Sequence, residues 1–99
     1  MARRSKEFRA TNYHRAIGHA VMERQTKIGL SLEELADRAR LVPEELRQII
    51  AAEREGQLTE LMGVAAGLGL QVSELLHRAE VIEQQSGAKR AKRAKRRKG

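Results

Sequence analysis

Residues 31–50, SLEELADRARLVPEELRQII, contain two separate signals for the start of a helix. The first is Ser31 followed three residues later by Glu34, the spacing of a capping box in which each side chain bonds the other residue's backbone N–H. The second is Pro43, whose fixed φ suits the first helical position, where its missing N–H is not needed. The segment is therefore predicted to hold two short helices, with residues 40–42 between them.

Apolar residues recur at helical spacing on both sides of this interruption. The inward faces are predicted to consist of Leu32, Leu35, Ala36 and Ala39 in the first helix and Leu46, Ile49 and Ile50 in the second. Ala36 is small enough to let another helix cross close by. Two short helices joined by about 3–4 residues form the helix-turn-helix pattern.

The sequence before this unit predicts one longer helix. Thr11 or Asn12 can cap its start, and Gly29 is suited to its end because glycine adopts a left-handed conformation without Cβ strain. Phe8 either anchors the preceding arm on this helix or is exposed. The predicted inward face comprises Tyr13, Ile17, Val21 and Ile28.

The sequence after the unit predicts two more helices, and no segment reads as a strand. Residues 51–57 form a polar connection, which is expected to extend the third helix before a turn at Gly56. A fourth helix runs from about Leu58 to a stop at Gly69, and Ser73 caps a fifth. The predicted fold class is therefore all-α.

The net charge of +7 is distributed unevenly along the chain. Residues 1–16 have five cations and one acid, a charge of +4, and residues 88–99 have eight cations and no acid, a charge of +8. Residues 17–87 have seven cations and twelve acids, a charge of −5. Low-complexity Lys/Arg sequence cannot bury apolar surface, so it is expected to be disordered alone. The predicted organisation is a flexible basic N-terminal arm at 1–10, a helix-turn-helix domain at 11–86 and a disordered basic tail at 87–99.

Composition argues against several functional classes. The chain has no cysteine, which excludes a disulfide framework, a Cys-based zinc site and a thiol nucleophile. Its apolar runs are far shorter than the ~20 residues that span a bilayer. His14, His19 and His77 are scattered, and the acidic pairs stand where helices begin. The sequence thus predicts a non-enzymatic cytoplasmic protein without cofactor, metal or membrane contact.

The segments GLS at 29–31, EELA at 33–36 and LGLQVSELL at 68–76 carry a family resemblance. Over residues 17–76, without a gap, the chain resembles the helix-turn-helix domain of the Cro and phage-repressor type, also called the xenobiotic-response-element type. The resemblance implies a five-helix, lambda-repressor-like bundle. Members of this bacterial and phage family mostly bind double-stranded DNA as homodimers, with the third helix in the major groove.

Three of the positions that depart from the family pattern bear on DNA reading. Arg40 stands where the family usually has Gly in the turn, and a left-handed residue with a side chain is strained by roughly 1 kcal/mol, so an altered turn is expected. Leu32 replaces a Gln that contacts phosphate, and Val42 replaces the Ser or Thr cap of the third helix. These changes leave DNA reading open.

The base-reading positions of the family fall on Val42, Pro43, Glu44, Arg47 and Gln48, with Glu45 beside them. Gln48 can make two hydrogen bonds to adenine, and Arg47 can meet guanine or a phosphate. Glu44 and Glu45 either accept from a cytosine amine or are simply anions favoured by the helix N-terminus.

Two further surfaces are candidates for contacts. Eight tail cations without apolar anchors fit sequence-independent phosphate binding, although a solubilising tail or a contact with an anionic membrane has the same composition. They are Lys89, Arg90, Lys92, Arg93, Lys95, Arg96, Arg97 and Lys98. Val81 and Ile82 are the predicted dimer interface. In the alternative, Ile82 packs within the monomer and Val81 is exposed.

Two functions remain compatible with the sequence. One is a sequence-specific DNA-binding transcriptional regulator, whose third helix reads an operator and whose basic tail adds nonspecific affinity. The other is a protein-binding module, an anti-activator or adaptor, whose acidic face binds another regulatory protein. The negative charge of residues 17–87 favours the second function, and the basic tail favours the first.

Overall fold

The computed structural model describes the backbone of residues 8–98 and the side chains of residues 8–86. This part of the chain forms five α-helices and no strand, which confirms the predicted fold class. The helices are α1 (Asn12–Ile28), α2 (Leu32–Ala39), α3 (Pro43–Ile50), α4 (Leu58–Gly67) and α5 (Val72–Lys98). Residues 1–7 of the predicted N-terminal arm, Gly99 and the side chains of the predicted tail lie outside the described residues.

All five helices begin with the same hydrogen bond, in which the third helical residue accepts from the backbone N–H of the capping residue. The pair is reciprocal in α1, between Thr11 and His14, and in α2, between Ser31 and Glu34. In the other three helices only the bond from the capping N–H is made, by Val42 to Glu45, Gln57 to Glu60 and Gln71 to Glu74. Ser73 therefore lies inside the first turn of α5, and its predicted role as the cap is wrong.

Two helix ends place a residue with a side chain in the left-handed conformation. Arg40 follows α2 with φ 60° and ψ 41°, and the Leu41 N–H donates to the Ala36 carbonyl at 2.9 Å. The turn expected to be altered by Arg40 is therefore kept, at the cost of backbone strain. Ala52 follows α3 with φ 59°. This residue breaks the helical path, so the predicted extension of α3 over 51–57 is wrong.

The core is small and aliphatic. It forms where α1 packs on α5, α2 packs on α4, and α3 packs on both α1 and α2. The fully buried large side chains are Leu35, Leu46, Leu68, Leu75, Val21 and Val64. Ile28 was expected on the inward face of α1 but is 39% exposed, because it is the last residue before the left-handed Gly29 turns the chain away.

The crossing of α1 and α3 depends on a glycine. Gly18 is buried in the middle of α1, and a Cβ built on it would overlap the carbonyl oxygen of Ile50 and lie 2.9 Å from its carbonyl carbon. The two backbones can approach this closely only because Gly18 has no side chain. The position of α3 on the domain is set in part by this contact.

Two arginines from different helices bind the C-terminal end of α4. Arg24 of α1 donates from Nε to the Leu68 carbonyl at 3.1 Å, and Arg38 of α2 donates from Nη1 to the Gly67 carbonyl at 3.0 Å. The last carbonyls of a helix have no partner within the helix. These side chains supply that partner and join three helices at one point.

Candidate nucleic-acid interface

One face of α3 is exposed and the other is buried. Leu46 and Ile49 are buried and attach the helix to the core, whereas Pro43 and Glu44 are exposed. Val42, just before the helix, is 59% exposed. The structure therefore places four predicted base-reading residues, Val42, Pro43, Glu44 and Arg47, on the exposed side of α3, with Gln48 half-buried beside them.

Arg47 is held by two carboxylates. Its Nε and Nη2 donate to the two oxygens of Glu44 at 2.8 and 2.7 Å. Its Nη1 and Nη2 donate to Glu53 at 3.4 and 3.0 Å. A guanidinium recognises guanine or phosphate by presenting two N–H groups along one edge. Here Glu44 occupies the edge formed by Nε and Nη2, and Glu53 occupies the edge formed by Nη1 and Nη2. Arg47 in this state therefore has no free pair of N–H groups to offer a base or a phosphate.

The charges of this cluster reinforce one another. The hydrogen bonds from Glu44, and then those from Glu53, raise the pKa of Arg47 above its already high ordinary value. The hydrogen bond from Arg47 lowers the pKa of Glu44. Arg47 and Glu44 therefore remain charged near neutral pH, and two carboxylates against one guanidinium give the cluster a formal charge of −1.

The remaining polar residues of α3 serve the helix itself. Glu45 Oε1 accepts from the Val42 N–H at 3.1 Å, which supports the interpretation of Glu45 as a helix N-terminal anion. Gln48 is half-buried, and its Nε2 lies 3.4 Å from Glu44 Oε2. Glu44 thus contacts both predicted base readers, Arg47 and Gln48.

Glu53 is the residue of this cluster that sequence reasoning missed. It was placed in the polar connection after α3, where a continuous helix would carry it away from Arg47. The left-handed Ala52 instead turns the chain back, and the Glu53 N–H donates to the Gln48 carbonyl at 2.8 Å. The sequence contains no signal for this turn, since alanine has no preference for positive φ.

The basic tail and the predicted dimer interface both lie on α5. Its backbone continues through Gly87, where the helix was expected to end, to Lys98. Alanine, lysine and arginine are all good helix formers, which accounts for the difference. The side chains from Lys89 to Lys98 lie outside the described residues. Ile82 packs against the core of its own chain, and Val81 is half-buried, so the interface stays a prediction.

Other kinds of site find little support in the part of the chain that the structure describes. No three His, Asp or Glu side chains come together there in a way that could hold a metal ion. His14 instead packs edge-on against Phe8, with ring centroids 4.9 Å apart, and its Nε2 lies 3.9 Å from Glu55. Phe8 therefore anchors the end of the arm on α1. None of the described helices is long and apolar enough to cross a membrane.

The fold is similar to that of two crystal structures of the clp gene regulator ClgR from Corynebacterium glutamicum. One has a TM-score of 0.75 and 25% identity, over 80% of this chain and 84% of the other. The second has a TM-score of 0.64 and 28% identity, over 69% of this chain and 88% of the other. No family model and no curated protein matches the sequence.

Proposed function

We propose that this protein is a DNA-binding transcriptional regulator of the Cro and phage-repressor type. The observation that carries the proposal is the exposed face of α3, a helix that is attached to the core through Leu46 and Ile49 and joined to α2 by a short turn. The similarity to structures described as a clp gene regulator supports it. The protein acts by binding, without catalysis or a cofactor, in the cytoplasm and at the nucleoid.

In this proposal α3 enters the major groove of double-stranded DNA with its N-terminal end towards the bases. Gln48 and Arg47 contact base edges, and the tail cations contact phosphates without choosing a sequence. A homodimer formed through α5 near Val81 would place two copies of α3 on a two-fold symmetric operator.

The test is DNA binding by fluorescence anisotropy across a salt series. The ligands are a duplex selected from a random library by the wild-type chain and a scrambled duplex of the same composition. The double variant Arg47→Ala, Gln48→Ala is expected to lose the preference for the selected duplex. A variant with all eight tail cations changed to Gln is expected to lose affinity for both duplexes about equally, with a shallower dependence on salt. An operator preference that survives the double variant would refute the role of α3.

A second function is favoured by the charge around Arg47. Glu44 and Glu53 occupy both of its bidentate edges, and Glu45 adds a further carboxylate at the same end of α3. A surface of this kind suits a basic segment of another regulatory protein better than a phosphate backbone. If the wild-type chain selects no duplex from the library and the tail variant loses all DNA binding, the protein-binding function is the better account.

A further inference from the structure

Resting on the proposed function, we propose that Glu53 is a positioning residue that limits how strongly Arg47 of α3 contributes to guanine recognition. It does so by closing the Nη1/Nη2 edge of Arg47 until a guanine replaces it. Glu53 lies outside α3 and outside the base-reading positions implied by the family resemblance. Its effect on DNA is exerted through Arg47.

The two carboxylates hold Arg47 unequally. Glu44 lies on the same helix, three residues before Arg47, and its two hydrogen bonds measure 2.7 and 2.8 Å. Glu53 lies in the turn after α3, and its two bonds measure 3.0 and 3.4 Å. Shorter charge-assisted bonds are the stronger ones. The edge closed by Glu53 is therefore the one that opens first.

Opening that edge leaves the guanidinium oriented. With Glu44 still bound to Nε and Nη2, the plane of Arg47 stays fixed relative to α3, and the freed edge presents N–H groups in one direction. Guanine offers two acceptors, O6 and N7, at a fixed place in the major groove. A guanine in register with α3 can replace both bonds to Glu53, whereas a base without that acceptor pair cannot.

Glu53 also removes free positive charge from the third helix. In nonspecific binding, affinity comes from cations that neutralise phosphates and release counterions. Arg47 is already neutralised by two acids, so α3 adds little to nonspecific affinity. Nonspecific affinity then comes mainly from the tail. Sequence recognition comes from the replacement of Glu53 by guanine on Arg47.

The experiment compares Glu53→Gln with Glu55→Gln in the full chain. Both variants remove one negative charge from the same connection, but Glu55 lies beside His14 rather than Arg47. Binding is measured by anisotropy to the selected duplex, to versions with each guanine replaced, and to the scrambled duplex. Because guanine then no longer has to displace a carboxylate, Glu53→Gln is expected to bind the selected duplex about two- to five-fold more tightly, the range of an exposed ion pair. The gain on the scrambled duplex is expected to be smaller, so the ratio of the two affinities rises.

The controls separate the two proposals. Glu55→Gln is expected to keep the wild-type ratio of affinities. In an Arg47→Ala background, Glu53→Gln is expected to change that ratio no further, since a double-mutant cycle isolates the coupling between the two residues. If Glu53→Gln and Glu55→Gln shift binding alike, Glu53 contributes only general charge and the inference fails while the proposed function stands. If wild type prefers no duplex, both fail.

Discussion

Replacing Gly18 by Ala should destabilise the domain, although helix propensity alone predicts the opposite. An alanine in the middle of a helix is about 1 kcal/mol more favourable than a glycine. Its Cβ, however, would overlap the Ile50 carbonyl oxygen and lie 2.9 Å from the carbonyl carbon. Both obstacles are backbone atoms of α3, so no side-chain rotation can make room.

The clash must therefore be relieved by moving α1 away from α3. Overpacking a core typically costs about 1–3 kcal/mol, and contact with backbone belongs at the upper end, so the net loss after the gain in propensity is about 2 kcal/mol. A loss of that size lowers the melting temperature of a domain of this length by roughly 10 °C. Urea denaturation followed by far-ultraviolet circular dichroism measures the free energy of unfolding directly.

Gly63→Ala provides the matched control, because Gly63 lies within α4. A Cβ there would stand 3.0 Å from the Ala39 carbonyl oxygen, a contact that a small shift relieves. Its free energy of unfolding is expected to stay within about 1 kcal/mol of wild type. A Gly18→Ala variant as stable as wild type, or more stable, would refute the close crossing of α1 and α3.

Two further predictions concern the turns and the pH dependence of stability. Arg40→Gly should raise the free energy of unfolding by about 0.5–1 kcal/mol, because the relief of left-handed strain exceeds the added entropy of the unfolded chain; a lower melting temperature in calorimetry would contradict this. Arg54 donates to the two carboxylate oxygens of Glu60 at 3.1 and 3.0 Å, and these hydrogen bonds lower the pKa of Glu60 below its ordinary value. The pair therefore stabilises the fold fully above the pKa that Glu60 has in the unfolded chain. This stabilisation is lost as the pH falls through the lower pKa that Glu60 has in the folded protein. The stability difference between wild type and Glu60→Gln should shrink between about pH 6 and about pH 3, and a difference that is constant across urea melts at these pH values would count against the ion pair.

The sequence predicted the helix boundaries that are set by the conformational preference of a residue at the boundary itself. Ser31 with Glu34, Pro43 and Gly29 each have a conformational preference of their own, and each lies where it was expected. The starts of α4 and α5 were less clear, because Gln57 and Gln71 are not typical caps. The signal there was the glutamate three residues later, which reaches back to the capping N–H.

The candidate site was only partly predictable. Glu44, Arg47 and Gln48 were identified by their places on α3, but the closed state of Arg47 was not. That state depends on Glu53, which reaches Arg47 only because Ala52 adopts a positive φ. An alanine carries no sequence signal for that conformation, and the tertiary packing that imposes it cannot be deduced from local spacing.

The attachment of α4 by Arg24 and Arg38 has a consequence for the order in which the domain opens. The last turn of α4 can separate from its neighbours only if bonds from both α1 and α2 break together. Amide hydrogens in that turn should therefore exchange with solvent at the rate of global unfolding, as those of a single cooperative unit. The connection over 51–57 contacts α1, α3 and α4 through partly exposed side chains only, Glu55 with His14, Glu53 with Arg47 and Arg54 with Glu60. Such exposed contacts add little stability, so its amides should exchange through smaller openings. These openings would release Glu53 from Arg47 while the rest of the domain stays folded.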